Sequence, residues 1–396
     1  MQRSTNKKAL MHAHTAYMAT QFNIDNIKIL QSLGYEVDVA CCWQDGDSAL
    51  SPDAMQGRRK KLDDLGCRVI ETASLRKIFN VFELSKAYRQ LKREIETNRY
   101  AIVHTQSPIG GVICRLACRK ARKLYGTKVI YAAHGFHFFK GASKKNWLVF
   151  YNVEKYCSKF TDLLITINKE DYENAKSFNA KEVVYVPGAG VDTNKFVASA
   201  GAREKIREEL EISDETTVLL SVGELIPRKN HIEVLRALKQ MKDAGIADNI
   251  RYLIAGRGRI AKELHDTIND LGLSEIVTML GFRSDVADIF AASDIYVFPS
   301  HQEGLPVALM EAMSVGMPIV CSEIRGNTDL ISAGEGGYLF DSKDSKTLVS
   351  AIEHMLNTPV LQRKKMGERN IDVMKQFDKD TVNEIMRRIY ENITHI

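Results

Sequence analysis

Short β-rich runs alternating with amphipathic stretches leave this chain few folds to choose from. KALMHAH at residues 8–14 is followed by IDNIKILQSLG at 24–34 and EVDVACC at 36–42, and the rhythm returns in YAIVHT (100–105), GGVICRLACRKARKL (110–124) and TKVIYAAHG (127–135). After a break it resumes in TTVLLSVGE (216–224), HIEVLRALKQMKDAG (231–245), IRYLIAGRG (250–258), DIYVFPS (294–300) and MPIVCSE (317–323). Strand, helix and strand in that order build parallel sheets through right-handed crossovers, and ligands then sit at the carboxyl ends of the strands. At 396 residues the chain is too long for one ordinary core. The expectation is an α/β protein of two Rossmann-like domains facing a central cleft.

The turn-rich stretch 186–202, VPGAGVDTNKFVASAGA, is the natural boundary. It predicts a first domain over 1–195 and a second over 196–375. The remainder, 376–396, reads as an amphipathic helix crossing back to the first domain. No apolar stretch approaches the roughly 20 residues that span a bilayer, and the start MQRSTNKKALMHAH has basic residues without a following apolar core. An integral membrane or secreted protein is therefore not expected. The seven cysteines form no Cys-x-x-Cys pair and read as packed free thiols of a cytoplasmic protein, Cys114 and Cys118 included.

The charge is uneven. Residues 1–195 hold 31 Lys and Arg against 19 Asp and Glu, leaving 24 against 31 of the chain's 55 and 50 for the rest. A basic half faces something anionic or is a solvated surface. Residues 110–125 carry Arg115, Arg119, Lys120, Arg122 and Lys123, and residues 136–151 mix Phe138, Phe139 and Trp147 with Lys140, Lys144 and Lys145. Interleaved basic and aromatic residues suit an anionic membrane surface, whereas no helix-turn-helix, RNP or zinc pattern points to nucleic acid.

The segment FPSHQEGLPVALMEAM, residues 298–313, carries the most chemistry. Ser300 and Glu303 have the spacing of a capping box, but a helix starting there would put Pro306 in its second turn, where the ring clashes with an earlier carbonyl. Placing Pro306 at the first helical position removes the conflict and leaves Glu303 and Gly304 in the loop before the helix. The amides of Gly304, Leu305, Pro306's neighbour Val307 and the positive end of the helix dipole then form a phosphate or sugar-hydroxyl site.

Glu303 and Glu311, with seven residues between, resemble the paired glutamates of retaining family 4 glycosyltransferases of the GT-B fold. Val222-Gly223-Glu224, Arg228-Lys229-Asn230, Ala255-Gly256-Arg257-Gly258, Gly281-Phe282-Arg283 and residues 323–330 follow in that family's order. The first half is similar to its capsular and exopolysaccharide enzymes at residues 102–104, 131–140, 146–148 and 164–172. The resemblance implies that Glu303 binds sugar hydroxyls and Glu311 the ribose, and that Arg228 and Lys229 bind the diphosphate and stabilise the charge of the departing group.

It further implies a donor-facing loop at Gly256 and Arg257, a base-holding segment ending at Arg283, and a histidine at the reacting centre, His134 with Gly135. Many family members have an arginine where this chain has Glu224. His104 reads as scaffold and His14 as part of a loop facing the acceptor. The implied activity is retaining transfer of a hexose or N-acetylhexosamine from a nucleotide sugar, UDP-linked, to a lipid-linked saccharide, peripheral at the inner face of the cell membrane. No cofactor is implied. No metal is expected either, on the reading that Arg228, Lys229 and the helix terminus replace the cation an Asp-x-Asp cluster would hold. A sugar-nucleotide 2-epimerase of the same fold, or a non-catalytic nucleotide-sugar-binding protein, remains open on the sequence.

Overall fold

The computed structural model describes residues 7–43, 52–73 and 80–396, so the first six residues of the start sequence lie outside the described residues. The chain divides into two units, residues 1–190 with 380–396, and residues 191–379. The final helix, Lys379–Asn392, buries Val382, Met386 and Tyr390 in the core of the first unit.

The first unit holds seven parallel strands in the order β3-β2-β1-β4-β5-β6-β7. They are β1 (Lys7–Thr15), β2 (Tyr35–Cys42), β3 (Arg68–Glu71), β4 (Ile102–Gln106), β5 (Lys128–Ala133), β6 (Leu163–Thr166) and β7 (Glu182–Tyr185). Side chains alternate between faces, so Ile130 and Ala132 enter one core while Tyr131 and Ala133 enter another. The order reverses between β1 and β4. There Asn23 and Gln106 exchange amide hydrogen bonds of 3.2 and 2.5 Å across the crevice.

The second unit holds six parallel strands in the order β10-β9-β8-β11-β12-β13. They are β8 (Thr217–Val222), β9 (Ile250–Ala255), β10 (Val277–Gly281), β11 (Ile295–Phe298), β12 (Ile319–Ser322) and β13 (Gly337–Phe340). Leu219, Tyr252, Ile254, Ile295, Val297 and Val320 face one core; Leu220, Leu253, Tyr296, Phe298, Ile319 and Cys321 face the other. Helices cover both faces, which is why these strands read as near-continuous apolar runs. The reversal falls between β8 and β11.

Three expectations need correcting. Residues 110–125 form two helices, Pro108–Ala117 and Arg119–Tyr125, and Arg115 is wholly buried. Its Nη2 lies 2.7 Å from Glu154 Oε2, its Nε donates to the Gly111 carbonyl, and its guanidinium covers the Tyr131 ring at 3.9 Å. Arg122 is engaged by Asp162, and Lys120 pairs with Glu96 at the surface, while Arg119, Lys120 and Lys123 are exposed. Phe138 is core as well, stacked on Phe136 at 4.7 Å. His14 stands near the end of β1, not in a loop. All seven cysteines are buried and unbridged.

Candidate functional site

Where strand order reverses in a parallel sheet, the loops leaving two neighbouring strands diverge and open a crevice at their carboxyl ends. In the second unit those are the loops after β8 and β11. The first contains the short 3-10 turn Pro227–Lys229, ended by Asn230 in left-handed conformation (φ 58°). Asn230 Nδ2 donates to the Pro299 carbonyl at 3.2 Å, and His301 N donates to the Arg228 carbonyl at 2.9 Å. These two bonds stitch the loops together and bring three charges to one point. Glu303 Oε1 lies 2.9 Å from Arg228 Nη1 and 2.8 Å from Lys229 Nζ. Lys229 also sits 4.8 Å above the Phe298 ring, and Arg325 Nε holds the loop by donating to the Glu303 carbonyl at 3.1 Å.

Past Glu303 and Gly304 the chain enters the helix Val307–Ser314. The helix begins one residue later than the sequence suggests, because Pro306 is extended (φ −83°, ψ 112°) and serves as the N-cap. No side chain caps this end. The amides of Val307, Ala308 and Leu309 therefore lack intrahelical acceptors and carry the positive end of the dipole. Leu305 is half-buried and Val307 exposed. Glu311, one turn on, is mostly buried, and burial pushes its carboxyl up to about 7 against the opposing pull of Lys195.

Gly256, Arg257 and Gly258 are more than a turn. A Cβ on Gly256 would run into the Gly223 carbonyl, and one on Gly258 into the Leu225 carbonyl, so the loops after β8 and β9 touch backbone to backbone. Gly256 N donates to the Gly281 carbonyl at 2.7 Å, which ties the loop after β10 to the same point. Arg257 lies 4.8 Å from the ring of Phe282, which is 67% exposed. The Arg283 guanidinium pairs with Glu209 and Asp285, each at 2.6 Å, which anchors the segment whose backbone the resemblance assigns to the base.

In the first unit His134 follows β5 and shares a cavity of about 40 Å³ with His104, Gln106, Ile167, Asn383 and Met386. His104 Nδ1 is bonded to Tyr390 Oη at 2.7 Å, a scaffold contact to the final helix. The Nε2 atoms of both histidines are closed off from solvent and have no hydrogen-bond partner. Burial lowers His134 to about 4, and burial together with His134 lowers His104 to about 3, so both rings are neutral near pH 7. Gly135, at φ 127°, turns the chain away from the strand, and Phe136 N then donates to Asp171 Oδ2 at 3.0 Å.

The sequence gives no signal for Lys195 beside Glu311, for Arg325 behind Glu303 or for the exposed ring of Phe282. The metal-free reading also passed over two Asp-x-Asp spacings. Asp45-Gly46-Asp47 lies outside the described residues, and in Asp378-Lys379-Asp380 the first carboxylate accepts from Thr193 Oγ1 at 2.7 Å while Lys379 pairs with Asp192. Among the described residues no group of three His, Cys, Asp or Glu side chains could hold a metal ion.

Residues 202–373 match the family described as glycosyl transferases group 1, and residues 23–195 match Glycosyltransferase Family 4. The chain is 34% identical over 388 residues to the Bacillus subtilis protein named "Putative glycosyltransferase EpsD", covering 97% of this chain and 96% of that one. It is 30% identical over 306 residues to an Escherichia coli UDP-Gal:alpha-D-GlcNAc-diphosphoundecaprenol alpha-1,3-galactosyltransferase, covering 75% and 77%. The crystal structure of Anabaena HepE in complex with UDP superposes with a TM-score of 0.75 at 20% identity, over 98% of this chain and all of the other. With both halves matched in order and a relative 34% identical over nearly its whole length, this chain belongs to the family 4 glycosyltransferases and has the GT-B fold.

Proposed function

We propose that the protein transfers a hexose or N-acetylhexosamine from a UDP-sugar to a lipid-linked saccharide, with retention of anomeric configuration and without a metal, in the assembly of an exopolysaccharide or capsule. The observation that carries the reading is the convergence of Glu303, Arg228 and Lys229 beside an uncapped helix terminus at the strand-order reversal. Two fixed cations and free amides suit a diphosphate, and a carboxylate among them suits the hydroxyls of the attached sugar. The relative that names a UDP-galactose donor and a diphosphoundecaprenol acceptor supports the substrate classes.

In the step, the bond between the sugar C1 and the diphosphate oxygen breaks while the acceptor oxygen bonds to C1 on the same face. The acceptor proton passes to the departing diphosphate oxygen. Arg228, Lys229 and the amides of Gly304, Leu305 and Val307, shaped by Pro306, stabilise the charge that develops there. Glu303 positions the sugar, Glu311 takes the ribose hydroxyls, and Gly256 and Arg257 line the donor. The backbone before Arg283 holds the base. His134, beside Gly135, serves as a neutral hydrogen-bonding group. The acceptor places the enzyme at the cytoplasmic face of the cell membrane.

The test is to incubate the protein with a panel of labelled nucleotide sugars and membrane extract in excess chelator. Label should enter the lipid fraction from one UDP-sugar and not with the Glu303→Gln protein. Activity abolished by chelator and restored by a divalent ion would remove the metal-free mechanism, and donor conversion without any acceptor would favour the epimerase.

A further inference from the structure

The chain leaving the His134 loop carries an apolar stripe that the fold does not bury. Three helical segments run end to end, Lys144–Asn146, the π-helical turn Trp147–Tyr151 and Asn152–Ser158. Their inner side is aromatic core: Trp147 and Tyr151 pack on Phe138 at 5.4 and 5.3 Å, and Phe138 in turn stacks on Phe136, two residues from His134. Their outer side exposes Leu148 (71%), Val149 (44%), Val153 (38%) and Tyr156 (50%). Offsets of one, five and eight residues from Leu148 keep these four on one side of a helix.

What surrounds the stripe indicates its occupant. Lys140, Lys144, Lys145 and Lys159 are exposed, and Lys155 is half-buried. Between residues 140 and 161 Glu154 is the sole acidic residue, and it is buried on the inner side against Arg115. The stretch is thus apolar at its centre and basic around it, with no exposed carboxylate of its own, and Glu170 approaches it only at Lys140, accepting from the Lys140 amide. It continues through Tyr156, edge-on to Phe160 at 5.5 Å, to Arg119, whose guanidinium lies 4.9 Å from the Phe160 ring. Lysine is depleted from protein interfaces, whereas long basic side chains flanking apolar ones are what a headgroup layer accommodates.

We propose that the outer face of residues 144–159 docks the protein on anionic bilayers, with Leu148, Val149, Val153 and Tyr156 entering the boundary between headgroups and acyl chains. The lysines around them meet the anionic headgroups. Attachment therefore combines insertion with charge, and it does not run through the helix Arg119–Tyr125 alone. Its purpose rests on the lipid-linked acceptor proposed above: the aromatic contacts lead from this face through Phe138 to Phe136, two residues from His134.

The test uses the full chain and vesicles of phosphatidylcholine with and without phosphatidylglycerol, sedimented at low and high salt. One variant combines Leu148→Ser, Val149→Ser and Val153→Ser; the other combines Lys144→Ser, Lys145→Ser and Lys159→Ser. All six side chains are exposed, and thermal melts check that both variants fold. The unaltered protein should sediment with the anionic vesicles and not with phosphatidylcholine alone. The apolar variant should lose roughly tenfold in partition at either salt. The lysine variant should lose on the order of 100-fold at low salt and show little remaining salt dependence.

Variants that sediment like the unaltered protein would overturn the proposal. So would an unaltered protein that ignores vesicles but forms a dimer broken by the apolar variant, because a second copy would then cover the face. Vesicle binding with these losses, but without sugar transfer to any lipid-linked acceptor, would uphold the surface and remove the functional reading instead.

Discussion

Glu303 Oε1 lies 2.8 Å from Lys229 Nζ, a pairing of two side chains 74 residues apart that closes the loop after β11 onto the loop after β8. The carboxylate assigned to the sugar and the cation assigned to the diphosphate thus hold each other in place. On the proposed reading, a donor diphosphate shares Lys229 and Arg228 with Glu303. Replacing Lys229 by Ala should lower kcat by on the order of 100-fold, from the lost stabilisation of the leaving group. Steady-state kinetics with the identified donor check this, and an unchanged kcat would place Lys229 outside the chemistry.

Glu311 gives a pH signature. Its carboxyl is raised from 4.5 to about 7 by burial, with Lys195 opposing and the buried Tyr296 close by. A folded-state value above the unfolded one means that ionisation costs stability. The cost is absent below about 4.5, grows as the pH rises and is complete above about 7, at roughly 3 kcal/mol. Glu311→Gln should therefore raise the melting temperature at pH 8 and leave it little changed at pH 4.5. The same substitution should weaken UDP binding, and in the unaltered protein calorimetric affinity for UDP should fall as the pH drops below 7, since the ribose hydroxyls donate to the ionised form.

Gly256→Ala tests the backbone contact between the loops after β8 and β9. Its Cβ has no room beside the Gly223 carbonyl. Denaturant titration should show a loss of about 2 kcal/mol or more, with donor binding lost in parallel. A neutral result would mean that the two loops do not touch in solution.

Arg115→Ala should cost roughly 3–5 kcal/mol, because it leaves Glu154 charged and buried without its partner. Lys123→Ser, on the neighbouring helix, should change stability by less than about 0.5 kcal/mol. Urea midpoints for the two variants check the contrast. Arg115 consequently does not belong in any set of substitutions meant to probe surface charge.

These residues also mark what the sequence discloses. Strands such as Thr217–Val222 and Ile295–Phe298 were legible because parallel strands buried on both faces leave unbroken apolar runs ended by Gly or Pro. Glu303 in a loop followed from the position of Pro306 alone, to within one residue of the helix start. Arg115 misled because helical spacing shows which residues share a helix, not that Glu154, 39 residues on, waits inside to neutralise one of them. Lys195 and Arg325 were invisible for the same reason: each meets its glutamate only through the folded backbone. The series assigns the backbone of residues 281–283 to the base, but it gives no hint that Glu209 and Asp285 take the Arg283 guanidinium.

Proton NMR of a complete reaction tests the central claim most directly. The purified protein is given the identified UDP-sugar and an undecaprenyl-diphosphate-linked saccharide in excess chelator, and the new anomeric signal is followed together with UDP. The account predicts one UDP released for each new α-linkage formed from an α-configured donor, with neither change in the Glu303→Gln protein. A β-linked product, or donor consumed with no sugar on the lipid, would contradict it.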